Sequence, residues 1–283
     1  MAHKTIRRLG NREAERKAHQ IREDVVRVAT ANEAGHLAPS LSSVDILTSL
    51  YYRVMNISAD PAWVDRDRLV FSKAHGCYGV YAILADIGYL NPRDWETFYR
   101  GSFLCGCIER SGPHGIEASC GSLGHGLPLA AGMAFGAKLQ GKAYRVYCIV
   151  GDGELQEGSN WEAIQFAARH RLSNLTVIVD CNSLQAMDFV KNIMGRPDGD
   201  NELKDKLSAF GFTAATCDGH SIGEITSILK GWARKKAGAL KPQALVARTT
   251  KGYGLYCMEN IPKFHFRLPS DEEMRQGNRY ERS

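Results

Sequence analysis

Two short apolar runs flanking a helix-length stretch constrain this chain most. Arg145–Val150 and Leu175–Val179 read as buried strands, and Ser159–His170 between them reads as a helix. That is a βαβ unit, whose strands run parallel and whose crossover covers the sheet. Further strands are expected at Leu69–Phe71, Phe212–Thr216 and Gln243–Arg248. Helices are expected from Asn11 to about Glu33, from a Ser42 or Ser43 cap through Tyr51, and over Val80–Ile87, Leu127–Leu139, Leu203–Phe210 and Ile222–Lys235. Strands alternating with helices predict an α/β fold with a doubly wound, mainly parallel sheet flanked by helices. Without an internal repeat or linker, residues 1–283 read as one domain, with a tail from about Tyr256.

Composition narrows the function classes. Hydrophobic residues make up 44%, enough for a sizeable core. No apolar run is long enough for a membrane span, and Met1–Gly10 has no secretory pattern, so a cytoplasmic protein is expected. The net charge of +5 is concentrated in Arg7, Arg8, Arg12, Arg16, Lys17, Arg22 and Arg27. Glu13, Glu15, Glu23 and Asp24 interleave with them, which describes a solvated helix and argues against nucleic acid as a partner. The 8 cysteines are scattered, and only Cys105 and Cys107 lie close in sequence, so reduced thiols are expected and structural zinc is not.

In open parallel sheets, ligands bind beyond the carboxyl ends of the strands. There the chain reads Gly151-Asp152-Gly153-Glu154 after one strand and Asp180-Cys181-Asn182-Ser183 after the next. If those strands are neighbours, Asp152 and Asn182 converge on one hard divalent cation, which would complete its shell with phosphate oxygens. Read singly, each segment is an ordinary turn. The Gly121-Ser122-Leu123-Gly124 turn opens a helix, so its free N–H groups suit an anion, although a tight packing turn reads equally well.

Taken together, the Gly151-Asp152-Gly153 to Asn182 stretch resembles the thiamine diphosphate signature, in its transketolase version. The likeness extends through GHLAPSLSSVDIL, RDRLVFSKAHG, CGSLGHGLPLAAGMA, KLSAFGF, DGH and TTKGYG. The chain resembles the amino-terminal, diphosphate-binding half of transketolase in its split, two-subunit form, a thiamin diphosphate-binding fold of the PP type. The resemblance implies thiamine diphosphate as cofactor with Mg²⁺ (or Ca²⁺ or Mn²⁺). Asp152 and Asn182 would ligate the ion through side chains and Leu184 through its carbonyl. Gly151, Gly153 and Glu154 would meet the diphosphate, and Gly121, Ser122 and Leu123 the aminopyrimidine side.

His36 and His75 match histidines that line the substrate channel in the family. His125 stands where many members have glutamine. His114 matches a loop histidine in altered order, as Gly112-Pro113-His114. His265 resembles a late histidine, with Phe266 in place of the glycine that follows it. Glu157 and Glu162 match acids of a carboxylate network between paired active sites, or are exposed acids at a helix start. Trp161 reads as packing.

The implied activity is transfer of a two-carbon ketol unit from a ketose phosphate to an aldose phosphate, with the cofactor as electron sink. The cofactor-activating glutamate belongs to the family's pyrimidine-binding domain, so a C-terminal partner subunit is expected, in a dimer of heterodimers. Gly-His-Leu-Ala-Pro around His36 and Ala74 before His75 depart from the family pattern and leave the sugar open, a branched or sulfonated one included. Three alternatives stand: a 2-oxoacid dehydrogenase α-type chain, which should lack the Ser-Lys-x-His histidine and the Gly-Ser-Leu-Gly turn; a deoxyxylulose phosphate synthase-like enzyme; and a non-catalytic paralogue.

Overall fold

A computed structural model of the chain describes residues 6–110, 115–186, 188–194, 199–233 and 241–277. Its strands are β1 (Arg68–Phe71), β2 (Val146–Gly151), β3 (Leu175–Cys181), β4 (Thr213–Asp218) and β5 (Gln243–Arg248). They form one parallel sheet in the order β1-β2-β3-β5-β4. The expected βαβ unit is β2, the helix Gly158–Arg169 and β3, and its two strands pair directly. β3 is buried along its whole length, which is why it leaves a mostly apolar run in the sequence.

The helices are α1 (Asn11–Ala31), α2 (Leu37–Leu41), α3 (Val44–Ser49), α4 (Tyr78–Asp86), α5 (Pro92–Glu96), α6 (Gly126–Leu139), α7 (Gly158–Arg169), α8 (Val190–Met194), α9 (Gly199–Ala209), α10 (Ile222–Ala233) and α11 (Asp271–Gly277). α6 packs on β2 and α7, α9 on β4 and β5, α10 on β4 and α3, and α1 on α3 and α4. Their apolar faces and the sheet share one continuous core. No helix among the described residues is long and apolar enough to cross a membrane.

Three elements differ from the sequence reading. The helix expected after a Ser42 or Ser43 cap is α3, but it passes into a π turn over Leu50–Val54, and a separate short helix, α2, precedes it. Ser43 stands at the N-cap of α3 but gives it no side-chain cap. Ser42 Oγ instead bonds Pro39 O (3.0 Å) and Asp180 Oδ2 (2.7 Å). The helix before β4 starts earlier than expected, at Gly199. From Tyr256 onward the chain packs back on the body: Met258 and Phe264 are buried, and His265 lines a cavity.

The basic stretch of α1 is neutralised where it folds. Arg27 Nη2 lies 2.5 Å from Asp24 and 2.7 Å from Glu96, Lys17 pairs with Asp86 at 2.8 Å, and Arg22 with Asp45 at 2.6 Å.

Candidate functional site

The carboxyl ends of β1, β2, β3 and β5 open onto one cavity of about 280 Å³. Its walls include Lys73 after β1, Gly151–Glu154 after β2, Asn182, Leu184 and Gln185 after β3, and Lys251 after β5. His36, His75, His265, Gly121 and Leu123 complete the lining used below.

Glu154 ties the two glycine turns together. Its Oε1 accepts the Gly124 N–H (3.0 Å) and the Ser72 hydroxyl, and its Oε2 accepts the Gly151 N–H (3.1 Å). Ser72 Oγ in turn accepts the Gly126 N–H at 3.1 Å. Gly126 allows that approach, since a Cβ there would lie 2.7 Å from Ser72 Cα. Burial pushes the Glu154 carboxyl up, against the pull of these donors. Its side chain is therefore committed to holding the turns in place, and its carbonyl accepts from Asn160 Nδ2 at 2.7 Å.

Asp152 and Asn182 converge because Gly151 and Asp180 sit level on paired strands. Asp152 accepts two backbone donors, Gly153 N–H at 2.8 Å and Ser183 N–H at 2.6 Å. Asn182 Oδ1 accepts the Leu184 N–H at 3.1 Å, across Ser183 in the left-handed region (φ +58°). Burial, and then the charge of Asp180, push the Asp152 carboxyl up to about 6. No ion pair among the described residues includes Asp152, so a cation is the group that would relieve it. A carboxylate, an amide oxygen and a backbone carbonyl suit a hard divalent ion, and the residues fit one. Leu184 O also accepts Lys251 Nζ at 3.1 Å, so the carbonyl expected as third ligand already faces an ammonium group.

Three histidines meet in the same cavity. Ring centroids are 5.3 Å apart for His36 and His75, 5.2 Å for His75 and His265, and 5.5 Å for His36 and His265. Desolvation lowers all three, helped by Lys251, and takes His265 down to about 3. Lys251 is itself lowered to about 7, first by burial and then by Lys73. Its Nζ lies 2.6 Å from His265 Nδ1. The trio is thus neutral near pH 7, able to donate and accept hydrogen bonds.

That neutrality has a stability consequence. Because the folded pKa of His265 lies below the ordinary value of 6.5, the unfolded chain takes up more protons as pH falls below 6.5, and stability is lost on the way toward 3. Discounted for partial exposure, the loss between pH 7 and 5 is expected to be about 1 kcal/mol larger than in a His265→Asn variant. Taking the difference cancels the opposite trend of Asp152 and Glu154. Urea midpoints of both proteins at the two pH values check this, and identical changes would refute it.

The remaining expected residues sit elsewhere. His125 is exposed, its Nδ1 3.1 Å from Leu123 O, and it does not line the cavity; nor does Ser122. His114 lies outside the described residues. Glu157 and Glu162 are exposed at and near the start of α7. Trp161 donates to Leu155 O at 2.7 Å and packs on Phe210.

Sequence reasoning missed Lys73, Asp180 and Lys251. Lys73 is 2% exposed and Asp180 fully buried; they form an ion pair, into which Ser42 and Thr249 also donate. Burial raises Asp180, but Lys73 and those hydroxyls outweigh it and hold the carboxyl below its usual range. A signal was present: Asp180 closes an otherwise apolar run, and a buried charge requires a partner.

Comparison with known proteins identifies the family. Residues 14–279 match the family model described as "Transketolase, thiamine diphosphate binding domain". The chain is 40% identical over 269 residues to an apulose-4-phosphate transketolase subunit of Actinobacillus succinogenes, covering 93% of each chain. It is 36% identical over 238 residues to the 6-deoxy-6-sulfo-D-fructose transketolase subunit SqwG of a Clostridium species, covering 82% of this chain and 84% of that one. Its fold superposes on transketolase from Campylobacter jejuni with a TM-score of 0.82 at 28% identity, covering 96% of this chain but only 43% of that one. With a family model spanning nearly the whole sequence and relatives of matching length, the chain belongs to the transketolase family of transferases, through its thiamine diphosphate binding domain.

Proposed function

We propose that this chain is the diphosphate-binding half of a two-subunit transketolase, transferring a two-carbon ketol unit from a ketose phosphate to an aldose. The observation that carries the reading is the single cavity in which Asp152, Asn182, the two glycine turns and three neutral histidines meet. Residues 1–283 act as one domain, and a partner subunit supplies the pyrimidine-binding half, in a dimer of heterodimers. Two relatives of similar length, each named as one subunit of a transketolase, support the split arrangement. Their names also suggest the substrate class, a donor of the apulose-4-phosphate or 6-deoxy-6-sulfo-D-fructose kind. A cytoplasmic enzyme of carbohydrate metabolism is the setting that fits.

Asp152 and Asn182, with the Leu184 carbonyl, would hold Mg²⁺. Gly153, the Glu154 backbone and the Gly121–Leu123 turn would contact thiamine diphosphate. When bound, that cofactor supplies a carbanion nucleophile and electron sink. Lys251 lines the same cavity, as does Lys73, whose charge is paired with Asp180. His36, His75 and His265 would orient the donor's carbonyl and hydroxyls through neutral rings, each with one N–H to donate and one nitrogen to accept.

Calorimetric titration of thiamine diphosphate and Mg²⁺ tests the proposal, on this chain with and without a co-expressed pyrimidine-domain partner. Tight binding and ketol transfer are expected only with the partner. Full transfer by the chain alone would end the two-subunit reading. Absence of binding in both cases would leave a cofactor-free paralogue.

A further inference from the structure

The DGH and TTKGYG segments meet in a buried cluster beside the site. β4 and β5 are neighbours, and Gly219 N donates to Arg248 O at 2.7 Å, which brings His220 next to Thr250. His220 Nε2 accepts the Thr250 N–H at 2.8 Å, and His220 Nδ1 lies 2.8 Å from Asp45 Oδ2. A backbone N–H can only donate, so the ring proton sits on Nδ1 and points at the Asp45 carboxylate. The same carboxylate oxygen accepts Arg22 Nη2 at 2.6 Å. Asp45 is 5% exposed and Arg22 8%.

These groups grip one turn. Tyr253 stacks on His220 with centroids 3.5 Å apart and planes 15° apart, and the Arg22 guanidinium lies 4.9 Å from the centre of the Tyr253 ring. Gly254, at φ +85°, packs where a Cβ would collide with Arg22 Cδ. Gly252 N–H reaches Ala38 O at 3.0 Å. Between Thr250 and Gly252 stands Lys251, whose Nζ reaches Leu184 O (3.1 Å), Gln185 O (3.3 Å) and His265 Nδ1 (2.6 Å). A lysine side chain has much rotamer freedom to lose, so its ammonium stays on these three atoms only if its backbone is fixed.

We propose that Asp45 and His220 are positioning residues that, through the Thr250 N–H, fix the Thr250–Gly254 turn and thereby hold the Lys251 ammonium at the cavity wall. The carboxylate orients the imidazole and the imidazole holds the turn. Neither residue lines the cavity.

The test labels lysine with ¹³C at Cε and follows the Lys251 resonance by NMR, assigned from its loss in Lys251→Arg. His220→Phe keeps the ring stack and the volume but removes both hydrogen bonds. The Lys251 resonance is expected to move toward those of exposed lysines in His220→Phe and to return in His220→Gln, whose amide can donate to Asp45 and accept from Thr250. In the complex with the partner, thiamine diphosphate affinity is expected to fall about tenfold in His220→Phe, the low end for an outer-layer partner, and to recover in His220→Gln. Should the phenylalanine variant not fold, Asp45→Asn is expected to move the same resonance in the same direction. An unmoved Lys251 resonance in a folded variant overturns the proposal. Only the affinity measurement rests on the function proposed above: a moved resonance with no cofactor binding in the unsubstituted protein would fault that function and leave the positioning intact.

Discussion

Asp152→Ala is expected to abolish measurable Mg²⁺-dependent thiamine diphosphate binding, a loss beyond about 100-fold, while the protein stays folded. The carboxylate is the only charged member of the oxygen donor set, so its removal exceeds the 10–100-fold typical of partners one layer further out. Stability should change little because two effects oppose. The Gly153 and Ser183 N–H groups lose an acceptor, which costs about 1–3 kcal/mol each where water cannot replace it. Against this, a carboxylate disfavoured by burial and by Asp180 is no longer held in the fold. Calorimetry on the assembled enzyme, beside thermal unfolding of the same sample, reads both. Mg²⁺ affinity within tenfold of the unsubstituted protein would remove Asp152 from the metal site.

The strands β2, β3 and β5 were legible in the sequence because each is buried on both faces. The ends of β2 and β3 ran further than expected because Gly151, Asp180 and Cys181 continue the ladder past Val150 and Val179. What periodicity could not carry was polar pairing across the chain. Ser42 occupies a helix-like position, yet its bond to Asp180 spans 138 positions, and the Lys73 to Asp180 pair spans 107. No local pattern predicts such partners. The insertion of β5 between β3 and β4 was likewise invisible, since strand order leaves no trace in apolar spacing. The histidines became candidates through family resemblance. Chain geometry gives three of them one wall and leaves His125 exposed, a difference set by side-chain direction at a helix N-terminus.

Asp180→Asn is expected to give the largest stability loss of any single change near the site, about 3–5 kcal/mol. Asparagine keeps the volume; its amide oxygen can still accept from Ser42, and its NH2 can donate to the Thr249 hydroxyl, which then accepts, so packing and neutral hydrogen bonds are nearly preserved. What disappears is the negative charge. Lys73 would then be an ammonium group only 3% exposed in its side chain, with Pro39 O (2.8 Å) and Ser42 Oγ (3.2 Å) as its remaining partners. Desolvating a charge costs several kcal/mol, and in the native protein the paired carboxylate offsets it. The penalty therefore belongs to the uncompensated lysine and not to a lost contact. The corollary separates the two accounts: Lys73→Met combined with Asp180→Asn should be less destabilised than Asp180→Asn alone, by about 1–3 kcal/mol. Urea unfolding of the three variants measures this through shifts in midpoint at constant slope. If the double variant were instead as unstable as the sum of its single changes, the two side chains would be acting independently, and the buried pair would not be what fixes β1 to β3 beneath the cavity.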